Sequence, residues 1–422
     1  MSLKTKALFC LPLLLPFSTE TFANNNSHDE LALEQVVVFS RHGLRAPLAS
    51  PSSALGKLTP EAWPQWDTPS SWLTTRGGVL EAYFGHYFNE WLVDNHLLTA
   101  DTCPTDKDVY FYANSLQRTI ATAQYFAVGA FPGCIVPVTH KEKLGTMDAT
   151  FNPIIRDGSP EFKQRAIESI NKTAGEKGLE GLNERLKPTY QQMAQIIRYS
   201  ESANCKEDKQ CDLTAIPTSI KIVANQEPGV SGPLRTGTSI SDAFILQYYE
   251  GAPIENVAWG RIKDDKQFES LVSIKEYYNS VVFSSPVVAK EVSANLVKAL
   301  KDAFGQDKPK FTFLVGHDSN VASLFSALGV KPYTLPNQFE TTPIGGKIVF
   351  ERWKNKTNGK TWLKMEYVYQ STDQIKTLAQ LNRNNPPQRV TLALKDCPIN
   401  ADGFCPFDAF EKVTSDLVSG TH

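Results

Sequence analysis

The chain has 422 residues, with 43 basic and 45 acidic side chains and a formal net charge of −2. That length holds one large or two modest domains, and hydrophobic and charged fractions of 41% and 21% are those of an ordinary globular chain. The near-neutral balance excludes a basic field for nucleic acid or an anionic membrane surface, so any anion must be captured locally.

The N-terminus has the grammar of an export signal. Lys4 and Lys6 give a short positive region, an apolar stretch runs from Ala7 to Phe17, and Thr21-Phe22-Ala23 resembles a cleavage site. Residues 1–23 are expected to be removed, which leaves Asn24 at the start of the mature chain. The apolar run is too short to span a bilayer. Cys10 departs with the signal, so the cysteines that remain are Cys103, Cys134, Cys205, Cys211, Cys397 and Cys405. An even number in an exported chain argues for disulfides. Of the roughly 15 possible connectivities, sequence proximity favours 103–134, 205–211 and 397–405. Zinc is not expected, because no Cys-x-x-Cys pair or partner histidine has ligand spacing.

Residues 36–40 form an apolar, β-branched run that reads as a buried strand, and Arg41-His42-Gly43-Leu44-Arg45-Ala46-Pro47 follows it directly. Residues 79–98 read as an aromatic-rich helix, with His86 and His96 as core or cap residues. Strand 109–113 leads into Asn114-Ser115-Leu116-Gln117-Arg118-Thr119 and a helix that reaches about residue 126. From 151 to 284 the character turns helical, with helices expected at 161–185, 188–200 and 239–250. Strand 311–315 then leads through Gly316-His317-Asp318-Ser319-Asn320 into a helix ending near residue 328. Asn114, Ser115, Asp318 and Ser319 are suitable N-cap types. Residues 347–353 and 362–370 alternate in strand fashion around Asn358-Gly359, a hairpin turn signal.

Repeated strand–turn–helix units imply a largely parallel sheet covered by helices. Ligands of such sheets bind beyond the carboxyl ends of the strands, where all three polar turns fall. The expected division is an α/β domain built from 24–150 and 285–422, interrupted by a helical domain at 151–284.

If the turns converge, one pocket holds Arg41, Arg45, Arg118, His42, His317 and Asp318. Three guanidinium forks and a helix N-terminus suit a phosphate dianion and the charge that spreads over its oxygens during transfer. One histidine can attack phosphorus to give a phosphohistidine, and nearby arginines keep that imidazole neutral at mildly acidic pH. Asp318 can protonate the leaving oxygen, and a phosphate bound beside it raises its affinity for a proton. The second histidine donates a hydrogen bond to the phosphoryl group. The arginines supply the positive charge, so neither a metal nor another cofactor is expected. The chain has no Gly-x-Ser-x-Gly elbow, Walker loop, dinucleotide fingerprint or His-Glu-x-x-His.

The heptad at 41–47 together with the distal His317-Asp318 resembles the histidine acid phosphatases, a branch of the histidine phosphatase superfamily. The resemblance runs over almost the whole chain and is closest to the bacterial periplasmic glucose-1-phosphatases. It is carried by Leu73-Thr74-Thr75-Arg76-Gly77-Gly78-Val79-Leu80-Glu81, by Asn114-Ser115-Leu116-Gln117-Arg118, by Gln226-Glu227-Pro228-Gly229 and by Thr342-Pro343-Ile344-Gly345-Gly346-Lys347. It implies an α/β architecture of the histidine phosphatase (phosphoglycerate mutase-like) type: a central mixed, largely parallel sheet flanked by helices, with a smaller inserted α-domain. The substrate would lie between the two. The resemblance implies His42 as nucleophile and Asp318 as proton donor. Arg41, Arg45, Arg118 and His317 would bind phosphate, and Glu227 would gate the rest of the substrate.

The implied partner is a small phosphate monoester, foremost glucose 1-phosphate, met in the periplasm. Gly43 departs from that pattern, because those glucose-1-phosphatases carry Asn after the nucleophile and phytases carry Gly. Ser319-Asn320 follows the sugar-phosphatase style instead. Phytate therefore stays open as an alternative substrate. A phosphosugar mutase would share the phosphohistidine, but export and disulfides argue against it. A non-catalytic binder of phosphate esters is disfavoured by the presence of both nucleophile and acid. Oligomeric state has no signal in the sequence.

Overall fold

The computed structural model describes residues 30–420, and the expected export signal at 1–23 lies outside them. The main sheet contains β1 (Leu31–Arg41), β2 (Val109–Ala113) and β3 (Val138–Thr139). After a small ribbon of β4 (Ile220–Lys221) and β5 (Gly229–Val230), it continues with β6 (Phe311–Gly316), β7 (Lys347–Asn355), β8 (Thr361–Tyr369), β9 (Gln388–Thr391) and β10 (Phe404–Pro406). The spatial order is β10-β8-β7-β1-β6-β2-β3, with β9 also on β8. β1, β6, β2 and β3 run parallel, whereas β7 and β8 form the expected antiparallel hairpin beside β1. The sheet is thus mixed, with parallel strands where the polar turns emerge.

The helices are α1 (Thr75–Asp94), α2 (Gln117–Ala130), α3 (Pro160–Ala174), α4 (Gly178–Ile196), α5 (Ala203–Asp208), α6 (Pro233–Tyr249), α7 (Asp265–Val282), α8 (Pro286–Asp302), α9 (Asp318–Leu328), α10 (Thr372–Lys376) and α11 (Phe407–Ser419). Side chains on β1 alternate between two cores, as the two-residue strand period requires. Val36 and Val38 pack with Phe84 of α1, Phe126 of α2 and Phe313. Val37 and Phe39 pack on the opposite face with Leu296 of α8, Leu324 of α9 and Phe410 of α11. Cover on both faces explains why the strand reads as a continuous apolar run rather than an alternating one. A third core joins Ile170, Leu182, Phe244 and Leu271 from α3, α4, α6 and α7. Leu44 and Ile344, which flank the turn carrying His42, belong to that same core.

Several boundaries differ from expectation. The helix expected at 161–185 breaks at Gly175 and Gly178, whose φ angles of +97° and +61° lie in the region that favours glycine. The next helix runs through Pro188 instead of starting at it. Pro188 cannot donate to the preceding turn, but Leu186, Tyr190 and Met193 around it are buried and hold the helix in place. The caps also move: α2 starts after Leu116, and α9 starts after His317. At α9 Asn320 acts in return, its Oδ1 accepting from the His317 N–H at 3.0 Å. His86 is half-exposed beside Glu90, and His96 is exposed in a left-handed turn, so neither sits in the core.

The three expected disulfides are present, with Cα–Cα distances of 5.5 Å for Cys103–Cys134, 4.4 Å for Cys205–Cys211 and 5.6 Å for Cys397–Cys405. Among the described residues no helix is long and apolar enough to cross a membrane.

Candidate active site

Three parallel strands end side by side. Arg41 of β1 pairs with Gly316 of β6, and Ala113 of β2 pairs with Val315. The turns that follow are therefore delivered to one edge of the sheet, and they bring Arg41, His42, Arg45, Arg118, His317 and Asp318 together. Backbone bonds fix the junctions: His42 N–H donates to Gly316 O at 2.9 Å, Asn114 N–H to Val315 O at 3.0 Å, and Gly345 N–H to His42 O at 3.1 Å. Helix α2 grips the same turn. The Gly43 N–H donates to Thr122 Oγ1 at 2.9 Å, and the Leu73 N–H donates to Gln117 Oε1 at 2.9 Å, with Leu73 bridged to Arg45.

Gly43 is packed from below. A Cβ there would lie 3.0 Å from Glu81 Cγ and Oε1 and 3.1 Å from Leu73 Cδ1. Glu81 cannot swing away freely, because it is buried and bound to Lys347 Nζ at 2.8 Å. Lys347 in turn donates to Ser40 Oγ and Gly345 O and sits 4.1 Å over the Phe84 ring. Gly43→Asn is therefore expected to destabilise the fold by about 1–3 kcal/mol through overpacking, measured by urea unfolding. An unchanged midpoint would contradict the crowding.

His42 is 3% exposed, and its Nδ1 lies 2.8 Å from Gly43 O. A carbonyl oxygen only accepts, so Nδ1 carries the proton and Nε2 keeps the lone pair. Burial, and then Arg118, Arg45, Arg41 and His317, hold the His42 pKa well below that of an ordinary imidazole. The ring is neutral at mildly acidic pH, as the arginine-rich motif implies.

Each arginine has its own anchor. Arg41 donates to Glu340 Oε1 at 3.1 Å and to Thr342 O at 2.6 Å. Arg45 donates to Asp242 Oδ2 at 2.8 Å and to Ala46 O at 3.2 Å. Arg118 leaves the first turn of α2, and burial followed by Arg45 brings its pKa down to about 10, so it stays charged at neutral pH. In all three, Nε is buried with no hydrogen-bond partner. An unmatched buried donor costs about 1–3 kcal/mol. The three guanidinium charges act together on the His42 ring, and a pocket with that balance favours an oxyanion.

His317 is 6% exposed, with its ring centroid 5.6 Å from that of His42. Its Nε2 lies 2.7 Å from Asn114 Nδ2. The Asn114 amide cannot be reversed, because its Oδ1 accepts from the Ser115 and Asp148 N–H groups at 2.9 and 2.8 Å. Nε2 is therefore the acceptor, and Asn114 is a ring-orienting residue rather than the expected cap.

Asp318 Oδ2 lies 3.2 Å from Lys275 Nζ, 3.4 Å from Asn279 Nδ2 and 3.9 Å from Arg41. Burial pushes the Asp318 pKa up, but Lys275, Arg41, His42 and His317 together hold it well below the usual carboxylate value. With these neighbours alone the carboxyl is ionised, and a proton-donor role needs the phosphate dianion that would raise its pKa. Glu227 is exposed on the loop before β5, within electrostatic reach of Arg118 and Asp318. It borders a cleft of about 470 Å³ shared with Lys163, Lys221, Arg235 and Tyr278.

Sequence reasoning missed Asp242, Lys275 and Glu340, the carboxylates and ammonium behind the arginines. A signal existed for Lys275 and Asn279: both fall in the buried stripe of α7 with Phe268, Leu271, Val272 and Ile274. A lysine on an apolar helix face is rare unless paired. Among the described residues no group of three or more His, Cys, Asp or Glu side chains could hold a metal ion.

The family model described as "Histidine phosphatase superfamily (branch 2)" matches residues 32–368. The chain is 50% identical over 384 residues to a glucose-1-phosphatase of Salmonella typhimurium, covering 90% of this chain and 91% of that one. It is 31% identical over 423 residues to the phytase AppA of Escherichia coli, covering 96% of each. The structure of Hafnia alvei phytase in complex with myo-inositol hexakis sulphate is similar with a TM-score of 0.81 at 29% identity, covering 92% of this chain and 98% of that one.

Proposed function

This chain belongs to branch 2 of the histidine phosphatase superfamily and is a phosphomonoesterase of that family, and we propose that it hydrolyses glucose 1-phosphate and related monoesters through a phosphohistidine on His42. The observation that carries the reading is the convergence of Arg41, Arg45 and Arg118 on one buried imidazole whose Nε2 holds its lone pair.

The phosphate of the substrate settles among the three guanidinium groups and the remaining N–H of His317. His42 Nε2 attacks phosphorus in line with the ester oxygen, and Asp318 gives that oxygen a proton as its bond to phosphorus breaks. Water then attacks the phosphohistidine, Asp318 takes up its proton, and inorganic phosphate leaves with Nε2 restored. Acidic conditions favour this cycle. His42 resists protonation, and Asp318, ionised in the free site, gains its proton more readily at low pH once a phosphate dianion is bound beside it. Glu227 lies over the non-phosphate part of the substrate. Residues 24–150 and 285–422 are read as one α/β domain, with 151–284 inserted as a helical domain; 24–29 and 421–422 lie outside the described residues. The three disulfides support export, with residues 1–23 as the signal and the periplasm as destination.

The test is a side-by-side kinetic comparison. Glucose 1-phosphate is expected to give a higher kcat/KM than inositol hexakisphosphate. The reverse order would favour the second reading, a phytase, which Gly43 and the similarity to the Hafnia alvei enzyme support. Failure to release phosphate from any monoester under mildly acidic conditions would leave only a binding protein.

A further inference from the structure

Lys275 is 4% exposed in the apolar stripe of α7. Burying an ammonium is costly unless its charge is matched and its N–H groups are bonded. Its Nζ lies 2.8 Å from Asp242 Oδ1, 3.2 Å from Asp318 Oδ2 and 3.7 Å from Glu340 Oε1. Each of these carboxylates also holds a guanidinium: Asp242 binds Arg45 at 2.8 Å, Glu340 binds Arg41 at 3.1 Å, and Asp318 lies 3.9 Å from Arg41. One ammonium therefore joins the anchors of two phosphate-facing arginines to the carboxyl of Asp318.

The two oxygens of Asp318 are treated unequally. Oδ2 faces three donors, from Lys275, Asn279 and Arg41. Oδ1 accepts the backbone N–H of Ser319 at 3.0 Å. A proton on Oδ2 would confront those donors, whereas a proton on Oδ1 would not.

We propose that Lys275 is the positioning residue of the protonation step: it holds Asp318 by Oδ2, directs the acid proton to Oδ1, and stabilises the carboxylate left behind. This rests on the reading of Asp318 as proton donor. In the first step the Oδ1–H bond breaks and the proton goes to the ester oxygen. The bond from that oxygen to phosphorus breaks as the bond from His42 Nε2 to phosphorus forms, and the charge left on Asp318 faces Lys275. In the second step the attacking water returns its proton to Oδ1, and the P–N electron pair returns to Nε2. Lys275 thus makes Asp318 a stronger acid in the first step and a weaker base in the second.

The other groups around Asp318 are Arg41 from β1, His42 and His317 from the two turns, Arg118 from α2, Glu227, and Tyr278 from α7. Lys275→Met deletes the ammonium, while Arg41 keeps its bonds to Glu340 and Thr342 O and Arg45 keeps its bonds to Asp242 and Ala46 O. With glucose 1-phosphate, the alkaline limb of its kcat profile is expected to move up by about one to three pH units, the shift an adjacent opposite charge produces. The plateau on the acid side should fall, and p-nitrophenyl phosphate, which needs little protonation, should be less affected. Adding Lys275→Met to Asp318→Asn should change kcat little further, because the lysine acts through the carboxyl. An unmoved limb in a folded Lys275→Met protein, or losses that multiply in the double variant, would overturn the proposal.

If Lys275→Met does not fold, carboxyl ¹³C titration of the wild-type protein decides instead. Asp318 should stay ionised through the acidic range without phosphate and become protonated when inorganic phosphate binds. Ordinary carboxyl titration without phosphate would overturn the role of Lys275. If Asp318→Asn spares poor leaving groups, the donor reading itself has failed. If it cripples them while the Lys275→Met limb stays put, only the lysine's role falls.

Discussion

His42→Ala is expected to lower kcat on the order of 10⁶-fold, the scale of loss when a covalent nucleophile is removed. The variant keeps Arg41, Arg45 and Arg118 on their own anchors at Glu340, Asp242 and α2, none of which runs through the imidazole. Phosphate binding should therefore persist while turnover is lost. His317 does not substitute, since its Nε2 is already engaged by Asn114 at 2.7 Å. Steady-state kinetics together with binding of inorganic phosphate separate the two effects. A variant that turns over at the wild-type rate would remove His42 from the chemistry, and one that loses phosphate binding as well would make the ring a structural part of the cradle.

Asp318→Asn should lower kcat for glucose 1-phosphate by about 10²–10⁴-fold, the usual contribution of a positioned acid. The loss for p-nitrophenyl phosphate should be much smaller, because a nitrophenolate leaves without a proton. Asparagine keeps an oxygen that can accept from Lys275 and Asn279, so the surrounding network survives and the difference reports the proton rather than the fold. Equal losses for the two substrates would mean that Asp318 positions the phosphoryl group instead of protonating the leaving oxygen.

The parts of this site that are contiguous in the chain were legible from the sequence. Arg41, His42 and Arg45 share one turn, His317 and Asp318 share another, and each turn follows a run of strand-forming residues that two cores bury from both sides. The anchors were not legible. Asp242, Lys275 and Glu340 come from α6, α7 and the segment before β7, and their charges gain meaning only when the fold sets them within 4 Å of one another or of the arginines. The helix break at Gly175 and Gly178 and the continuation through Pro188 went the other way from local expectation. A left-handed backbone stopped one helix, and buried side chains carried the other past a residue that usually ends one. Asn114 looked like a helix cap because asparagine favours that place, yet its amide is spent on orienting His317.

Rapid mixing with glucose 1-phosphate, quenching in denaturing alkali and mass mapping of the peptide that contains His42 would decide whether the phosphoryl group rests on this ring. A phosphoryl increment on His42 during turnover, absent in the His42→Ala protein, is the expected result. Turnover at full rate with no phosphorylated histidine at any quench time would contradict it, and would point to direct attack by water on a substrate that the three arginines merely hold.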